Sequence, residues 1–298
     1  MNLINSGYKR LIFRRPKQVR LSRSRYGTIG IFVFLMLVSA FMILPIFYSV
    51  VQAFKPIDEI FAYPPKFFVK NPSLDNFTQV FELADNLWVP FTRYLFNSLF
   101  ISTFGTALYV FISSLAAYPL AKVRFPGHVI FSQLIVWTLL FRAEVTAIPQ
   151  YIVISKLGFL NTYVAVIIPA LAGTLGVFLM KQFIISAIPD EILEAARIDG
   201  AREFGILFRI VMPAVKPAWL TLIIFAFQIF WNENGAQQYI FSENLKQLPT
   251  VLSTIASGGI ARAGAGSAVS VLLMIPPILI FILSQSSVMQ TMSHSGLK

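Results

Sequence analysis

The feature that most constrains this chain is a succession of long apolar runs almost free of charge. Tyr26 to Phe54 carries no charged residue. A helix needs about 20 apolar residues to cross the hydrocarbon of a bilayer, so this run is long enough to span. Tyr94 to Ala121, Leu157 to Met180 and Ala263 to Ser293 are equally uncharged. His128 to Ile148 is interrupted only by Arg142 and Glu144, and Pro217 to Ile240 only by Glu233. The runs are continuous and do not alternate, which selects helices over the strands of a membrane barrel. The expectation is an all-α membrane protein with six transmembrane helices. Only 12% of residues are charged, against roughly a quarter in soluble domains, so a typical cytosolic enzyme is excluded. There is no cysteine and only His128 and His294, which argues against disulfides, a thiolate nucleophile or a His-rich metal site.

Charge sets the orientation. Residues 1–26 hold eight basic side chains and no acid. Such an arm could serve nucleic acid, but directly before an apolar run it marks the cytoplasmic flank of a first span. The run is too long for a signal-peptide core, so the first span is read as uncleaved. Six spans then put both termini in the cytoplasm. The inner segments 1–26, 122–127, 181–216 and 294–298 collect 16 of the 24 Lys and Arg, as the positive-inside rule requires. The expected organisation is a basic tail (1–26), a first span (27–54) and an extracytoplasmic loop (55–92). A core of five spans (93–290) with a cytoplasmic loop (181–216) follows, then a short tail (291–298). The 55–92 loop is either a small cap or an ordinary connection.

The 181–216 loop has structure written into it. Pro189, Asp190 and Glu191 suit a helix start, where acids meet the positive end of the dipole. Ile192, Ala195, Ala196 and Asp199 follow at helical spacing, and Gly200 suits the left-handed residue after a helix end. A second helix is expected from Arg202 to Val211, with Pro213 and Pro217 closing it. Read physically, this is a helix–turn–helix beside the membrane; it is equally an amphipathic hairpin that only covers span ends.

Glu194-Ala195-Ala196, Asp199-Gly200-Ala201 and Ile210-Val211-Met212-Pro213 resemble the EAA signature of binding-protein-dependent ABC importer permeases. Ala117-Tyr118-Pro119-Leu120-Ala121 with Arg124-Phe125-Pro126-Gly127 is similar to the carbohydrate-uptake branch related to the maltose system. So are Ile148-Pro149-Gln150-Tyr151, Lys156-Leu157-Gly158, Asn161-Thr162-Tyr163, Trp231-Asn232 and the Met289 to Lys298 ending. Phe141-Arg142-Ala143-Glu144 departs from that pattern.

The resemblance implies half of a transmembrane pore. Its partners would be a homologous second permease, two ATPase subunits and an extracytoplasmic solute-binding protein, with a sugar as substrate. Membrane lipid surrounds it and no nucleic acid is involved. The resemblance assigns Glu194, Ala195, Ala196, Asp199, Gly200 and Pro213 to ATPase coupling. No cofactor is expected on this chain, since it lacks a phosphate-binding loop of the Gly-x-x-x-x-Gly-Lys type; ATP and Mg would bind the partner ATPases. Charges within spans are costly and mark function by default. Asn232, Glu233, Asn234 and Gln237, with Glu144, are therefore substrate-path candidates, because sugar hydroxyls need both donors and acceptors. The alternatives are polar packing between helices and, for Glu144, a headgroup-level position. The competing functions are an ion-coupled secondary transporter and an intramembrane enzyme. Neither midplane acids nor a catalytic dyad is evident for them.

Overall fold

A computed structural model describes residues 25–141, 143–232, 238–259 and 262–295. It divides into a unit ending at Tyr48 and a larger unit beginning at Ser49. Among the described residues it is helical and has no strand. The basic tail lies outside them, apart from its last residues. Helix α1 (Arg25–Ala53) supplies the first unit and runs into the second; it is apolar on every side and contains Pro45.

In the larger unit the order is α2 (Ile57–Ile60), α3 (Asp75–Asp85), α4 (Phe91–Lys122), α5 (His128–Thr138) and α6 (Ala143–Lys156). Next come α7 (Tyr163–Leu171), α8 (Thr174–Ala187), α9 (Asp190–Ile198) and α10 (Glu203–Ile206). A π-helical turn (Leu207–Val211) leads to α11 (Met212–Ala214), α12 (Lys216–Trp231), α13 (Leu248–Ala256) and α14 (Ala263–Ser295).

Among the described residues three helices are long and apolar enough to cross a membrane: α1 from Tyr26, α4, and α14 to Gln285. The other apolar runs are broken. The His128–Ile148 run divides into α5 and α6, where the Leu140 and Phe141 N–H groups reach back only three residues, to Trp137 and Thr138. The 157–180 run is the pair α7–α8, bent by 42°. The fifth run ends its helix at Trp231, well before Ile240; α12 has 16 residues, about 24 Å at 1.5 Å per residue.

Helix α4 is the centre of the larger unit and packs along α8 and α12, with α7 and α13 beside it. Its buried face is made of small and hydroxyl-bearing residues, among them Ser98, Ser102, Gly105, Thr106, Ser113 and Ala117. Small residues let helices approach closely where lipid offers no hydrophobic drive. A Cβ on Gly105 would come within 2.7 Å of the Phe230 ring, and one on Gly176 within 2.6 Å of the Ser113 Oγ.

Breaks inside spans are repaired by side chains. At the α7–α8 bend the Tyr109 hydroxyl donates to the Gly173 carbonyl (3.0 Å) and accepts from the Gly176 N–H (2.9 Å). In α14, Pro277 has no N–H to offer the Leu273 carbonyl one turn back. The Trp231 indole N–H supplies that bond at 3.1 Å. In lipid each such group would otherwise stay unpaired.

The 55–92 loop is a folded cap. Asn76, 5% exposed, donates to the Ala53 carbonyl (2.9 Å) and the Lys55 carbonyl (2.7 Å). Helix α3 lies against α13 and α14, so close that a Cβ on Gly264 would be 2.1 Å from the Asn76 Oδ1. The Glu59 carboxylate accepts from the Lys70 and Asn71 N–H groups, each at 3.0 Å.

Candidate functional site

The hairpin between α8 and α12 forms as a capped unit. Helix α9 begins after Pro189, with Asp190 and Glu191 in its first turn. Its end is closed by two bonds, Gly200 N–H to the Arg197 carbonyl and Ala201 N–H to the Ala196 carbonyl, both 3.0 Å. This is the paired closure in which the residue after the cap takes a left-handed conformation; Gly200 has φ +79°. Leu193 and Ala196 face inward and join the buried cluster that includes Tyr118, Ile206 and Leu207. Glu194, Ala195, Ile198 and Asp199 face outward. So the Ala195–Ala196 pair is split: Ala195 is on the surface, and Ala196, 8% exposed, packs into this chain's own core.

The second arm is not the single helix expected over Arg202 to Val211. It starts as α10, widens into a π turn where Met212 N–H reaches the Leu207 carbonyl, and ends in α11. Pro213 cannot donate to the Arg209 carbonyl, so regular α geometry would leave that group unpaired at this point. The chain then bends by 84° into α12. The Trp219 indole bridges the bend, donating to the Met212 carbonyl at 3.1 Å. Ile206, Leu207 and Val211 are buried, whereas Phe204 is 70% and Ile198 86% exposed.

Two polar clamps hold the hairpin to the last turn of α4. Lys122 Nζ donates to the Ile188 carbonyl (2.6 Å) and to Asp190 Oδ1 (2.7 Å). Its side chain is 6% exposed and that of Asp190 74%. The Lys122 ammonium holds the Asp190 carboxyl below its ordinary range. The second clamp is centred on Glu203. One oxygen accepts from Arg197 Nε at 2.8 Å and the other from the Tyr118 hydroxyl. The Arg197 hydrogen bond, then that of Tyr118, lowers the Glu203 pKa. Tyr118, Lys122, Arg197 and Glu203 were not singled out as site residues from sequence. Tyr118 lies in the 117–121 motif, and Arg197 and Glu203 lie in the 181–216 loop, but neither pattern marks these side chains.

The opposite end of α4 carries a second polar assembly. Asn97, fully buried, donates to the Asn244 and Lys246 carbonyls (2.9 Å each) and accepts from the Tyr163 hydroxyl (2.7 Å). Asn161 adopts φ 60°. It bonds Tyr239, Phe241 and Ser242, fixing the chain after α12 to the α6–α7 turn. An open groove of about 550 Å³ lies here, lined by Val89, Pro90, Thr92, Arg93, Phe96 and Asn244. Of the substrate-path candidates, Asn232 caps α12 and is exposed. Glu233, Asn234 and Gln237 lie outside the described residues, as does Arg142; Glu144 is placed only as a backbone position in α6. No group of three His, Cys, Asp or Glu suited to a metal occurs among the described residues.

Comparison with known proteins adds to this geometry. Residues 124–294 match the family profile described as "Binding-protein-dependent transport system inner membrane component". The arabinooligosaccharides transport system permease protein AraQ of Bacillus subtilis (strain 168) is 30% identical over 273 residues, covering 91% of this chain and 95% of AraQ. The sn-glycerol-3-phosphate transport system permease protein UgpE of Yersinia enterocolitica is 30% identical, covering 86% of this chain and 93% of UgpE. In fold, the chain is similar to one from a crystal structure of a bacterial ABC transporter involved in the import of the acidic polysaccharide alginate. That likeness has a TM-score of 0.74 at 24% identity, over 89% of this chain and 98% of the other.

Proposed function

The chain belongs to the family of binding-protein-dependent transport system inner membrane components, and from that premise we propose that it forms half of the translocation pathway for a sugar or oligosaccharide. It is an ABC transporter permease subunit, a multi-pass helical protein of the bacterial cell membrane, and not itself an enzyme. Its partners are a homologous second permease, two ATPase subunits that bind ATP and Mg, and an extracytoplasmic solute-binding protein. Relatives such as AraQ, named for arabinooligosaccharide transport, support the sugar class. The ion-coupled alternative finds no support among them.

Six spans are proposed: α1, α4, α5 with α6, α7 with α8, α12, and α14, with both termini in the cytoplasm. The proposed organisation is a 1–26 tail, a 27–54 span, a 55–92 cap, a 93–290 core with the 181–216 loop, and a 291–298 tail. In this arrangement the hairpin is cytoplasmic and the Asn97–Asn244 assembly faces outward. The substrate path is proposed to pass Asn232, Glu233, Asn234 and Gln237, with Glu144 near it.

The observation that carries the reading is the hairpin's exposed face. Glu194, Ala195 and Ile198 project from a helix whose other side is buried and whose end is fixed by Gly200. A rigid, partly apolar projection of this kind suits a socket on an ATPase subunit. Alternating access then follows as a shift between two states biased by ATP.

The test is affinity purification of the assembled transporter with its ATPase subunits, together with uptake of labelled arabino-oligosaccharide into vesicles. Unmodified protein should retain the ATPase and take up sugar only with ATP and the binding protein. Glu194→Arg with Ala195→Trp should lower ATPase retention roughly tenfold, the loss of about 1.4 kcal/mol of binding. Uptake driven by an ion gradient without ATP would overturn the reading.

A further inference from the structure

The hairpin is joined by its chain to α8 and α12, but its polar side chains reach α4. Tyr118 and Lys122 stand one helical turn apart, on the same side of α4. Lys122 holds the start of α9 through Ile188 and Asp190. Tyr118 holds Glu203, the first residue of α10, and Glu203 holds Arg197 in the last turn of α9. Both ends of α9 and the beginning of α10 are thereby bonded to one turn of one helix. Glu203 is central, because its two oxygens serve two different elements.

The covalent route into α12 is built differently. It passes through the π turn at Leu207–Val211 and then the 84° bend. A π turn and a sharp bend are places where a helix changes geometry most readily. The α4 route carries one proline, Pro119, at the clamps themselves, but α4 runs as a single helix from Phe91 to Lys122, with no π turn or break before the buried face that packs on α8, α12 and α7.

We infer that Glu203 is a positioning residue that makes the hairpin and α4 move as one body, so that a push on α9 enters the membrane through α4 before α12. This rests on the reading of the hairpin as the ATPase-docking element. Tyr118 and Arg197 are the two arms through which Glu203 acts. Charge favours the arrangement: Arg197 keeps Glu203 ionised, and an ionised carboxylate is the stronger acceptor for a phenol.

The chain has no cysteine, so pairs of spin labels on it carry no background from the chain itself. One pair, Glu191→Cys with Phe104→Cys, spans α9 and α4; a second, Glu191→Cys with Phe225→Cys, spans α9 and α12. All three sites are exposed. Distances are measured in the complete transporter, nucleotide-free and trapped with ATP and vanadate. The α9–α4 distance should stay the same in the two states while the α9–α12 distance changes. Glu203→Gln and Tyr118→Phe should each broaden the α9–α4 distribution. Both should also cut the stimulation of ATP hydrolysis by the binding protein about five- to tenfold, a coupling loss at the low end of the usual range. An α9–α4 distance that changes while α9–α12 stays fixed overturns the inference. So do variants with unaltered distances and stimulation at equal membrane abundance. Failure of the unmodified chain to retain the ATPase overturns the docking reading, and this inference with it.

Discussion

Gly200 and Ala196 sit four residues apart and fail in different ways when changed. At Gly200 a Cβ would meet nothing within 4 Å, but its φ is +79°. Gly200→Val therefore meets no clash and costs only backbone strain, roughly 1–2 kcal/mol. The expected outcome is a normally inserted protein whose α9 end frays, seen as faster amide exchange at Gly200 and Ala201 and weaker ATPase retention. Ala196→Asp puts a charge into a buried cluster, a cost on the order of several kcal/mol. Its expected outcome is loss of folded protein from the membrane, measured as abundance, before docking can be tested. The sequence marked both positions but could not say which alanine faces outward, because Ala195 and Ala196 are alike until the burial of α9 against its cluster is known. Glu203 adds a pH signature. Its folded pKa lies below the ordinary value of 4.5. The ion pair's contribution is thus complete above that value and lost as pH falls through the depressed one. Exchange protection at the hairpin should be flat from about pH 8 to 5 and fall below about pH 4.5; Glu203→Gln should shrink that acid step to the part that Asp190, also held low by Lys122, contributes.

Among the elements, the broken helices show where sequence reading reaches its limit. Apolar runs located α1, α4 and α14 to within about three residues at each end, because length and hydropathy are all that a straight span requires. They did not reveal the breaks in α5–α6 and α7–α8 or the early end of α12. Those depend on whether a neighbouring side chain can take over orphaned backbone groups, a matter of tertiary placement. Tyr109 does so for α7–α8, and Trp231 for the proline gap in α14. The second case yields a cycle with a defined sign. Trp231→Phe leaves the Leu273 carbonyl without its N–H, at a cost of about 1 kcal/mol. Pro277→Ala restores an N–H within the helix, so on that background Trp231→Phe should lose only the packing of its buried ring and not the hydrogen bond. Detergent melting of the single and double variants measures the difference. Additive losses would mean that the indole bond does not substitute for the missing helical one.

At the scale of the whole molecule, the two ends of α4 do different work, and the topology decides which faces the cytoplasm. One end grips the hairpin through Tyr118 and Lys122; the other is fixed to the chain after α12 through Asn97. The charge bias assigns these ends. In the proposed six-span arrangement the segments assigned to the hairpin's side hold 16 of the 24 basic residues, and Lys and Arg in short loops remain on the cytoplasmic side. The hairpin, both termini and the 122–127 turn should then share one compartment, and the 55–92 cap the other. A reporter fused after Lys298 should be active as a cytoplasmic fusion, and one inserted at Asn71, exposed at the surface of the cap, as an extracytoplasmic one. The two sites are needed together. A reversed result at both would invert the chain and move the hairpin away from any cytoplasmic ATPase. Two reporters on the same side would mean that a broken pair, α5–α6 or α7–α8, enters the membrane and returns without crossing. An odd number of crossings would result, and the hairpin could no longer lie on the same side as both termini. Only the expected pattern lets a cytoplasmic ATPase reach α9 while a sugar delivered from outside meets the opposite end of α4.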